Sequence, residues 1–401
     1  MHITSHYLLH PRAPLVFGTG KPLDFGLGGD SLSFPFPSTV AGALRAAHSV
    51  QSAQAPDPFA VIDGLQLQQL ALARFDWLQP DTPSTLLLPR PSDAVYINKK
   101  MLRLAPQSSP IQSAIQSANN AADSWTDLAP GLQLLALQGQ DSDKKGKPDP
   151  APAWWSAQDY SRWLSDPSRQ TQPITSTPDT QPDERTHVVI DPHGKGAVTG
   201  GLFRSTGRDF GPSPQSKPGE ATHGYALSIT TQEPQSLHGI TRRLGGEGRF
   251  VRFEAQKAAL QQPAQPKGLD KATCIRFILT TPAIFPNQGW HPDALAYDPN
   301  TQTIHGCLTI NGKPIAAQLL AAAITRAQSY SGWQPATDND SDRQGQPGPG
   351  RPWRVVPAGS VYWLRVPAGN AHALWGQSLC TDGPCGQWLT NGWGRGFVGL
   401  A

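Results

Sequence analysis

Two neighbouring stretches, His223-Gly-Tyr-Ala-Leu-Ser-Ile-Thr230 and Thr241-Arg-Arg-Leu-Gly-Gly-Glu-Gly-Arg-Phe-Val-Arg-Phe253, carry the strongest fold signal in the chain. In the first, Tyr225, Leu227 and Ile229 alternate with small or polar residues, which predicts a half-buried β-strand. In the second, three glycines allow a tight turn before a short strand that ends at Phe253. The sequence therefore predicts sheet strands on either side of a glycine-rich turn.

The same turn is strongly basic. Four arginines bracket the glycines, and Glu247 is the only acidic residue among them. The planar guanidinium of arginine suits phosphate and stacks on bases, while glycine exposes backbone N–H groups. We therefore predict contact with a polyanion, RNA, through Arg242, Arg243, Gly245, Gly246 and Arg249. The alternative is a tight turn with a solvated basic edge.

The composition favours folded parts joined by long loops. A chain of 401 residues can bury a core in each of two domains, and its 39 glycines and 40 prolines indicate extended loops. The net charge of +3 is unevenly distributed. Residues 187–260 contain nine Lys/Arg against six Asp/Glu, whereas residues 105–186 contain six against ten. This segregation predicts that the basic region faces a polyanion.

Several function classes are disfavoured by what the sequence contains. Cys274, Cys307, Cys380 and Cys385 lack the C-x-x-C spacing of zinc sites, so we expect free thiols and no metal. The motif G-x-x-x-x-G-K-[ST] is absent, so we expect no nucleotide cofactor and no small-molecule substrate. The first ten residues do not resemble a signal peptide, and no apolar run approaches the length of a membrane span. We therefore expect a cytoplasmic protein without membrane contact.

Periodicity predicts an α+β fold with antiparallel sheets. Apolar residues at positions 40, 43, 44 and 47 predict an amphipathic helix, and the run from Ile315 to Ala327 predicts another. Residues 1–265 are predicted to form an N-terminal half with a low-complexity insertion at about 105–186. Residues 266–401 are predicted to form a C-terminal half with a glycine-rich terminal loop. Tryptophans at positions 154, 155 and 163 are expected to pack on the protein's own core or on a partner protein.

Five segments in a fixed order extend this interpretation. They are Phe36-Pro-Ser-Thr-Val-Ala-Gly-Ala-Leu-Arg45, His187-Val-Val-Ile-Asp191 with Gly200-Gly-Leu-Phe203, Leu244-Gly-Gly-Glu-Gly-Arg249, Thr281-Pro-Ala-Ile-Phe285 with Gly289-Trp290, and Val356-Pro-Ala-Gly-Ser-Val-Tyr362 with Gly394-Arg-Gly-Phe397. Together they resemble the third subunit of the Cmr complex, the type III-B CRISPR effector, within the RAMP superfamily of RNA-binding proteins. Pro11-Arg12-Ala13-Pro14-Leu15 resembles the family's Pro-Arg-Asp-Pro-Leu start, with Ala13 in place of the usual acidic residue.

The resemblance implies two ferredoxin-like (RRM-related) halves and a place at the foot of a ribonucleoprotein effector. Members of the family there hold the 5′ repeat-derived handle of the crRNA. They contact the large subunit and the first backbone RAMP subunit. The resemblance thus implies a non-catalytic RNA-binding subunit that serves antiviral defence against foreign RNA.

The candidate RNA-binding residues outside the turn each have a structural alternative. His187 is typical either of a strand histidine bonded to the backbone or of an RNA contact. Lys195 is either a solvated loop lysine or a phosphate contact, and Arg45 either a surface salt bridge or an RNA contact. Gly394 and Arg395 either turn the last strand or form the loop that approaches RNA in the superfamily. Arg204 completes the predicted set.

Two other functions remain open from the sequence. The first is a metal-independent endoribonuclease that processes crRNA precursors, for which His187, His193 and Lys195 are the nearest acid–base candidates. The sequence signals no third group, so we expect no catalytic residues. The second is a protein-binding scaffold, which the acidic, tryptophan-containing insertion would support.

Overall fold

The computed structural model describes residues 2–18, 31–51, 64–78, 84–98, 100–110, 131–138, 147–166, 176–177, 180–212, 223–334, 348–382 and 387–401. Within these ranges the chain is an α+β protein made mostly of antiparallel strands, with few helices. The predicted α+β class is confirmed. None of the helices in the described ranges has the length and apolar composition needed to cross a membrane.

The elements follow one another along the chain. The first strands are β1 (Ile3–Pro11), β2 (Gln66–Asp76), β3 (Thr85–Pro89), β4 (Ala94–Ile97), β5 (Lys100–Pro110), β6 (Gln133–Gln138), β7 (Trp154–Ser156), β8 (Ser176–Thr177), β9 (Gln181–Ile190), β10 (Ala197–Asp209), β11 (His223–Glu233), β12 (Thr241–Arg243) and β13 (Phe250–Gln256). The later strands are β14 (Cys274–Leu279), β15 (Ala283–Ile284), β16 (Leu295–Asp298), β17 (Thr303–Ile310), β18 (Lys313–Ala323), β19 (Gln328–Tyr330), β20 (Trp333–Gln334), β21 (Gly348–Pro349), β22 (Trp353–Val356), β23 (Val361–Arg365) and β24 (Gly396–Leu400). The helices are α1 (Pro37–Gln51), α2 (Ala157–Ser165) and the short 3₁₀ helix η1 (Ala371–Leu374).

The first sheet has eight strands in the order β12-β13-β1-β11-β2-β3-β7-β8. Leu9 on β1 and Leu227 and Ile229 on β11 point from one face of this sheet into a core shared with α1. The helix contributes Val40, Ala43, Leu44 and Ala47, the four positions that periodicity predicted. Burial of apolar area on both elements stabilises the contact and fixes the register of the strands.

The opposite face of the first sheet is only partly covered. Leu8, Ala73 and Ala226 are buried there, with Leu260 packed against them. Gln262 donates to Gln69 at 3.1 Å, so the segment after β13 crosses this face. Beyond that crossing the sheet remains open at the end where β1 finishes. We call this part the open face.

The second sheet has six strands in the order β16-β17-β18-β23-β14-β24. The prediction of a helix from Ile315 to Ala327 is wrong, because β18 (Lys313–Ala323) pairs with β17 on one side and β23 on the other. Asn311 and Gly312, both with positive φ, form the two-residue turn between β17 and β18. Asn-Gly is the typical sequence of such a hairpin, and it fixes the strand where the alanine-rich composition suggested a helix.

The predicted insertion at 105–186 contains part of the folded core. Within it, residues 111–130, 139–146, 167–175 and 178–179 lie outside the described residues. Trp154 and Trp155 lie on β7, which pairs with β3, and Trp163 lies on α2. All three side chains are buried, so they pack on this protein's own core. The division of the chain at residues 265 and 266 stays a prediction.

A buried ion pair connects the second sheet to the loop between β3 and β4. Arg276 on β14 and Asp93, which precedes β4, are both fully buried, and Nη1 donates to Oδ2 at 2.5 Å. The other Arg276 nitrogens donate to the carbonyl oxygens of Trp163 (2.6 Å) and Leu400 (2.8 Å). Asp93 also accepts a bond from the Trp163 indole at 3.0 Å. Every hydrogen-bonding nitrogen of this guanidinium therefore has an acceptor, as a buried charge requires.

Removing one partner of this pair should destabilise the fold strongly. We expect Arg276→Met to lower the free energy of unfolding by about 3–5 kcal/mol, because Asp93 would be left buried without a counter-ion. The double variant Asp93→Ala/Arg276→Met should lose less than the sum of the two single variants. Urea unfolding measures all three, with Arg365→Met as a matched exposed control. Additive losses would show that the pair is not coupled.

Candidate functional site

The predicted turn connects β12 to β13 at the edge of the first sheet. The Leu244 N–H donates to the Arg249 carbonyl at 2.9 Å and closes the turn. Inside it, Gly245, Glu247 and Gly248 have positive φ values of 76°, 54° and 65°. The turn is therefore a compact loop held by its own backbone.

The two central glycines contact the protein's own chain. The Gly246 N–H donates to the Val16 carbonyl at 2.8 Å. A Cβ on Gly245 would lie 2.4 Å from that carbonyl oxygen, whereas a Cβ on Gly246 would lie at an ordinary 3.6 Å. The close backbone approach at Gly245 is made by the protein's own chain, in the segment after β1, and contact of Gly245 and Gly246 with RNA stays a prediction.

The three arginines of the turn differ in their surroundings. Arg243 is exposed, and its guanidinium lies 5.9 Å from the ring centroid of the exposed Phe250. Arg249 is mostly covered and forms a 2.8 Å ion pair with Glu247. Arg242 is half-buried, and its Nη1 donates to the Thr241 carbonyl at 2.9 Å. Of the three, Arg243 is the best placed to meet a phosphate or a base.

A separate two-stranded ribbon, β9 with β10, reaches the same turn. His187 on β9 is stacked on Phe203 with ring centroids 5.0 Å apart, and its Nε2 is hydrogen-bonded to Ser205 at 2.7 Å. The Glu247 carboxylate lies 3.7 Å from the same nitrogen. The structure thus brings His187 to the Gly/Arg turn, which the sequence could not show.

Glu247 is the link between the ribbon and the turn. Burial by itself would raise the pKa of Glu247, but the hydrogen bonds from Ser205 and Arg249 and the nearby positive charge outweigh it and lower the pKa. The carboxylate is therefore ionised at neutral pH and offsets part of the Arg249 charge. Sequence reasoning missed this role of Glu247 and missed Ser205 altogether, because their partners lie about 40 residues away.

The other ribbon candidates lie elsewhere on β9 and β10. Lys195, with a φ of 51°, is exposed in the turn between the two strands. Arg204 is exposed on the face of β10 opposite Phe203 and pairs in register with Thr186. On that outer face Val188, Ile190 and Leu202 are also exposed, by 44%, 53% and 60%. The ribbon therefore has a mixed cationic and aliphatic outer face.

The remaining candidates, Arg45, Gly394 and Arg395, make contacts within the chain, and their role in RNA binding stays a prediction. Arg45 on α1 donates to Gln387 at 3.0 Å and Asn391 at 2.6 Å. A Cβ on Gly394 would lie 2.5 Å from the Cys380 sulfur. Arg395 donates to the Gly376 carbonyl at 3.2 Å, and burial lowers its pKa to about 10. These contacts join the C-terminal segment to α1 and to the second core.

A shallow groove of about 390 Å³ separates α1 from the turn. Its helix wall consists of small side chains, Thr39, Gly42, Ala43 and Ala46, and its other wall of Arg243 to Gly246. Within the described residues no three metal-ligating side chains cluster. The groove, the basic turn and the base of the ribbon together form the candidate site.

The sequence matches a model of a family of CRISPR-associated proteins over residues 7–400, nearly the whole chain. The chain therefore belongs to the CRISPR-associated proteins. Its family is Cas_Cmr3, which confirms the resemblance found in the sequence.

Similar solved structures are remote in sequence. One is a chain of the type III-B Cmr-beta complex bound to cognate target RNA and AMPPnP, with 13% identity, 89% of this chain and 86% of that chain covered, and a TM-score of 0.39. Another is a chain of the Cmr-beta complex bound to cognate target RNA, with the same identity and coverage and a TM-score of 0.40. No curated protein matches the sequence.

The two turn glycines should respond differently to a methyl group. We expect Gly245→Ala to lower the free energy of unfolding by about 1–3 kcal/mol, because its φ is positive and the Val16 carbonyl blocks the Cβ. Gly246→Ala should change it by less than about 0.5 kcal/mol. Urea unfolding of both variants gives the comparison. Equal losses at the two positions would contradict this description of the turn.

Proposed function

We propose that this protein is a non-catalytic RNA-binding subunit of a type III-B CRISPR effector and that it holds the 5′ repeat-derived handle of the crRNA. Membership of the Cas_Cmr3 family supports the place in the effector. The observation that carries the RNA contact is the exposed Arg243, which lines the groove beside α1 and whose guanidinium also lies against the exposed Phe250. A cation and an aromatic face beside an open groove suit a single-stranded backbone with unstacked bases.

The same residues indicate where the proposed partners would bind. The crRNA handle would run along the turn and the base of the ribbon. The large subunit and the backbone RAMP subunits would contact other surfaces of the chain. The outer face of the ribbon, with its exposed aliphatic side chains, is suited to a macromolecular contact of this kind.

The finer fold proposal is that each half is ferredoxin-like. When the four central strands of the first sheet are numbered along the chain, β13-β1-β11-β2 reads 4-1-3-2. The corresponding strands of the second sheet, β24-β14-β23-β18, read 4-1-3-2 as well. This repeated order supports two related halves, divided near residue 265. The helices differ, since α1 is the long helix of the first half and η1 the only described helix of the second.

The non-catalytic part of the proposal rests on the state of His187. Its Nε2 is held by Ser205 and lies close to Glu247, and its ring is stacked on Phe203. A general base would need an unengaged ring nitrogen that reaches the attacking 2′-hydroxyl, and Nε2 is already engaged by Ser205. The contacts instead suit a positioning role for the histidine. Processing of crRNA precursors remains the alternative, with His193 and Lys195 in the same ribbon.

The first test measures the electrostatic contribution of the turn. Replacing Arg242, Arg243 and Arg249 with alanine should weaken binding of the handle RNA. It should also flatten the dependence of log K on log[salt] by about 0.7 for each arginine that contacts a phosphate, so by about two units if all three do so. Fluorescence anisotropy over a range of salt concentrations gives both quantities.

The matched control removes three exposed cations of the C-terminal half, Lys271, Lys313 and Arg326. It loses the same charge but should retain the wild-type salt slope. If the turn variant binds with unchanged affinity and slope, the turn does not contact RNA.

The second test addresses catalysis. Labelled repeat RNA incubated with the protein, with and without divalent metal, should stay intact over hours. Site-specific cleavage that is lost in His187→Ala would show that the protein is the processing endoribonuclease.

A further inference from the structure

A cleft of about 730 Å³ lies on the open face of the first sheet. This face is opposite α1, so the cleft is separate from the groove beside the Gly/Arg turn. Its floor is formed by the end of β1, the start of β11 and the end of β2. Gly224 on β11 has no side chain, and the Trp77 ring packs directly over its backbone.

Aromatic side chains form one wall of the cleft. Phe75 lies 5.3 Å from the His10 ring and 5.1 Å from the Trp77 ring, measured between centroids. Trp77 is 52% exposed, although it lies against the sheet at Gly224. An indole held in place by a phenylalanine while half of its surface faces solvent is an available stacking surface.

Arginines form the other wall. Arg252 is exposed on β13, in register with His10, and Arg12 is exposed just after β1. The Arg12 N–H donates to the Phe250 carbonyl at 2.9 Å, which holds the backbone of this residue at the rim. Phe250 and Arg252 alternate with the core residues Val251 and Phe253, so both project onto the open face.

The remaining polar groups of the cleft suit the edge of a base. Glu254 Oε2 lies 3.4 Å from His10 Nε2, and that histidine nitrogen is buried without a hydrogen-bond partner. Burial lowers the pKa of His10, more than the nearby Glu254 charge raises it, so the ring is neutral at pH 7. A neutral imidazole can donate one hydrogen bond to a base and accept another, and a carboxylate can accept hydrogen bonds from the amino group or a ring N–H of a base.

We propose that this cleft binds one unpaired nucleotide of single-stranded RNA, with the base stacked on Trp77 and the phosphates beside Arg12 and Arg252. The proposal rests on the proposed function, because it requires that the protein binds RNA, and it adds a second contact surface on the other side of the sheet. Aromatic stacking accepts any base, while phosphate contacts give affinity without sequence preference.

A cationic side chain of a partner protein is the competing occupant, since Asp76, Asp209 and Glu254 also line the cleft. Two of these carboxylates are already used within the chain. Asp76 accepts from the Leu78 N–H and Asp209 from the Gly211 N–H, each at 2.9 Å. The two arginines at the rim would also repel a cation. These contacts favour the nucleotide.

The experiment combines Trp77 variants with abasic RNA. Handle RNAs that each lack one base are titrated against the full-length protein by fluorescence anisotropy. We expect removal of one particular base to weaken wild-type binding roughly tenfold, as for the loss of one base–aromatic stack. Trp77→Ala should bind the intact RNA with a similar loss and should no longer respond to that abasic position. Trp77→Phe should restore most of the affinity, and Tyr297→Ala, at another exposed aromatic residue, should behave as wild type.

The outcomes separate the two proposals. If Trp77→Ala binds every RNA as wild type does while the triple arginine variant of the turn is impaired, the cleft does not bind RNA and the proposed function stands. If Trp77→Ala is impaired and the turn variant is not, the cleft proposal stands and the turn assignment is wrong. If wild-type protein binds no RNA, both are wrong. Weaker assembly of Trp77→Ala with neighbouring subunits, at unchanged RNA affinity, would show that the cleft binds protein.

Discussion

The buried Arg276–Asp93 pair is the constraint on which the rest of the structure depends. A guanidinium taken out of water must find an acceptor for each donor, and here the acceptors come from the loop before β4, from α2 and from the last strand. One side chain of the second sheet therefore fixes three distant parts of the chain. An apolar core that includes Leu86 and Trp155 of the first sheet and Val361 and Trp363 of the second surrounds this part of the chain. The ion pair adds directional hydrogen bonds to that contact.

Local sequence signals predicted those elements whose structure is decided locally. The alternation at Tyr225, Leu227 and Ile229 predicted β11, and the helical spacing of Val40 to Ala47 predicted α1. The prediction failed at β18, where the amino-acid composition favours a helix but the segment pairs as a strand. β18 is rich in alanine and has no strict alternation, because it lies between two strands and is buried on both faces at its centre. The Asn311-Gly312 turn was the available signal, and it identifies a hairpin more reliably than composition does. β2, a central strand, was not predicted at all.

The candidate site was likewise predictable only where its structure is decided locally. The Gly/Arg turn was predicted from its own residues, and the structure describes it as a turn at a sheet edge. What the sequence could not supply were the partners of each residue. Gly245 faces a backbone carbonyl in the segment after β1, and Gly394 faces the side chain of Cys380. Arg395 donates a hydrogen bond to the Gly376 carbonyl. These contacts need the folded chain, and they explain why glycines and arginines of similar appearance have different surroundings. The contact of His187 with the turn, through Ser205 and Glu247, likewise exists only in the folded chain.

The attachment of the ribbon of β9 and β10 to the body determines how the ribbon can vary in length. It joins the body through the pairing of Leu15 with Arg208 and through the contact of His187 with Glu247, and beyond these points its strands pair only with each other. Because side chains alternate between faces, adding one residue to a strand would exchange the outer face for the inner one. Adding two residues to each strand would preserve both faces and extend the ribbon by about 6–7 Å. Evolution can thus adjust its reach in fixed steps, without altering either sheet.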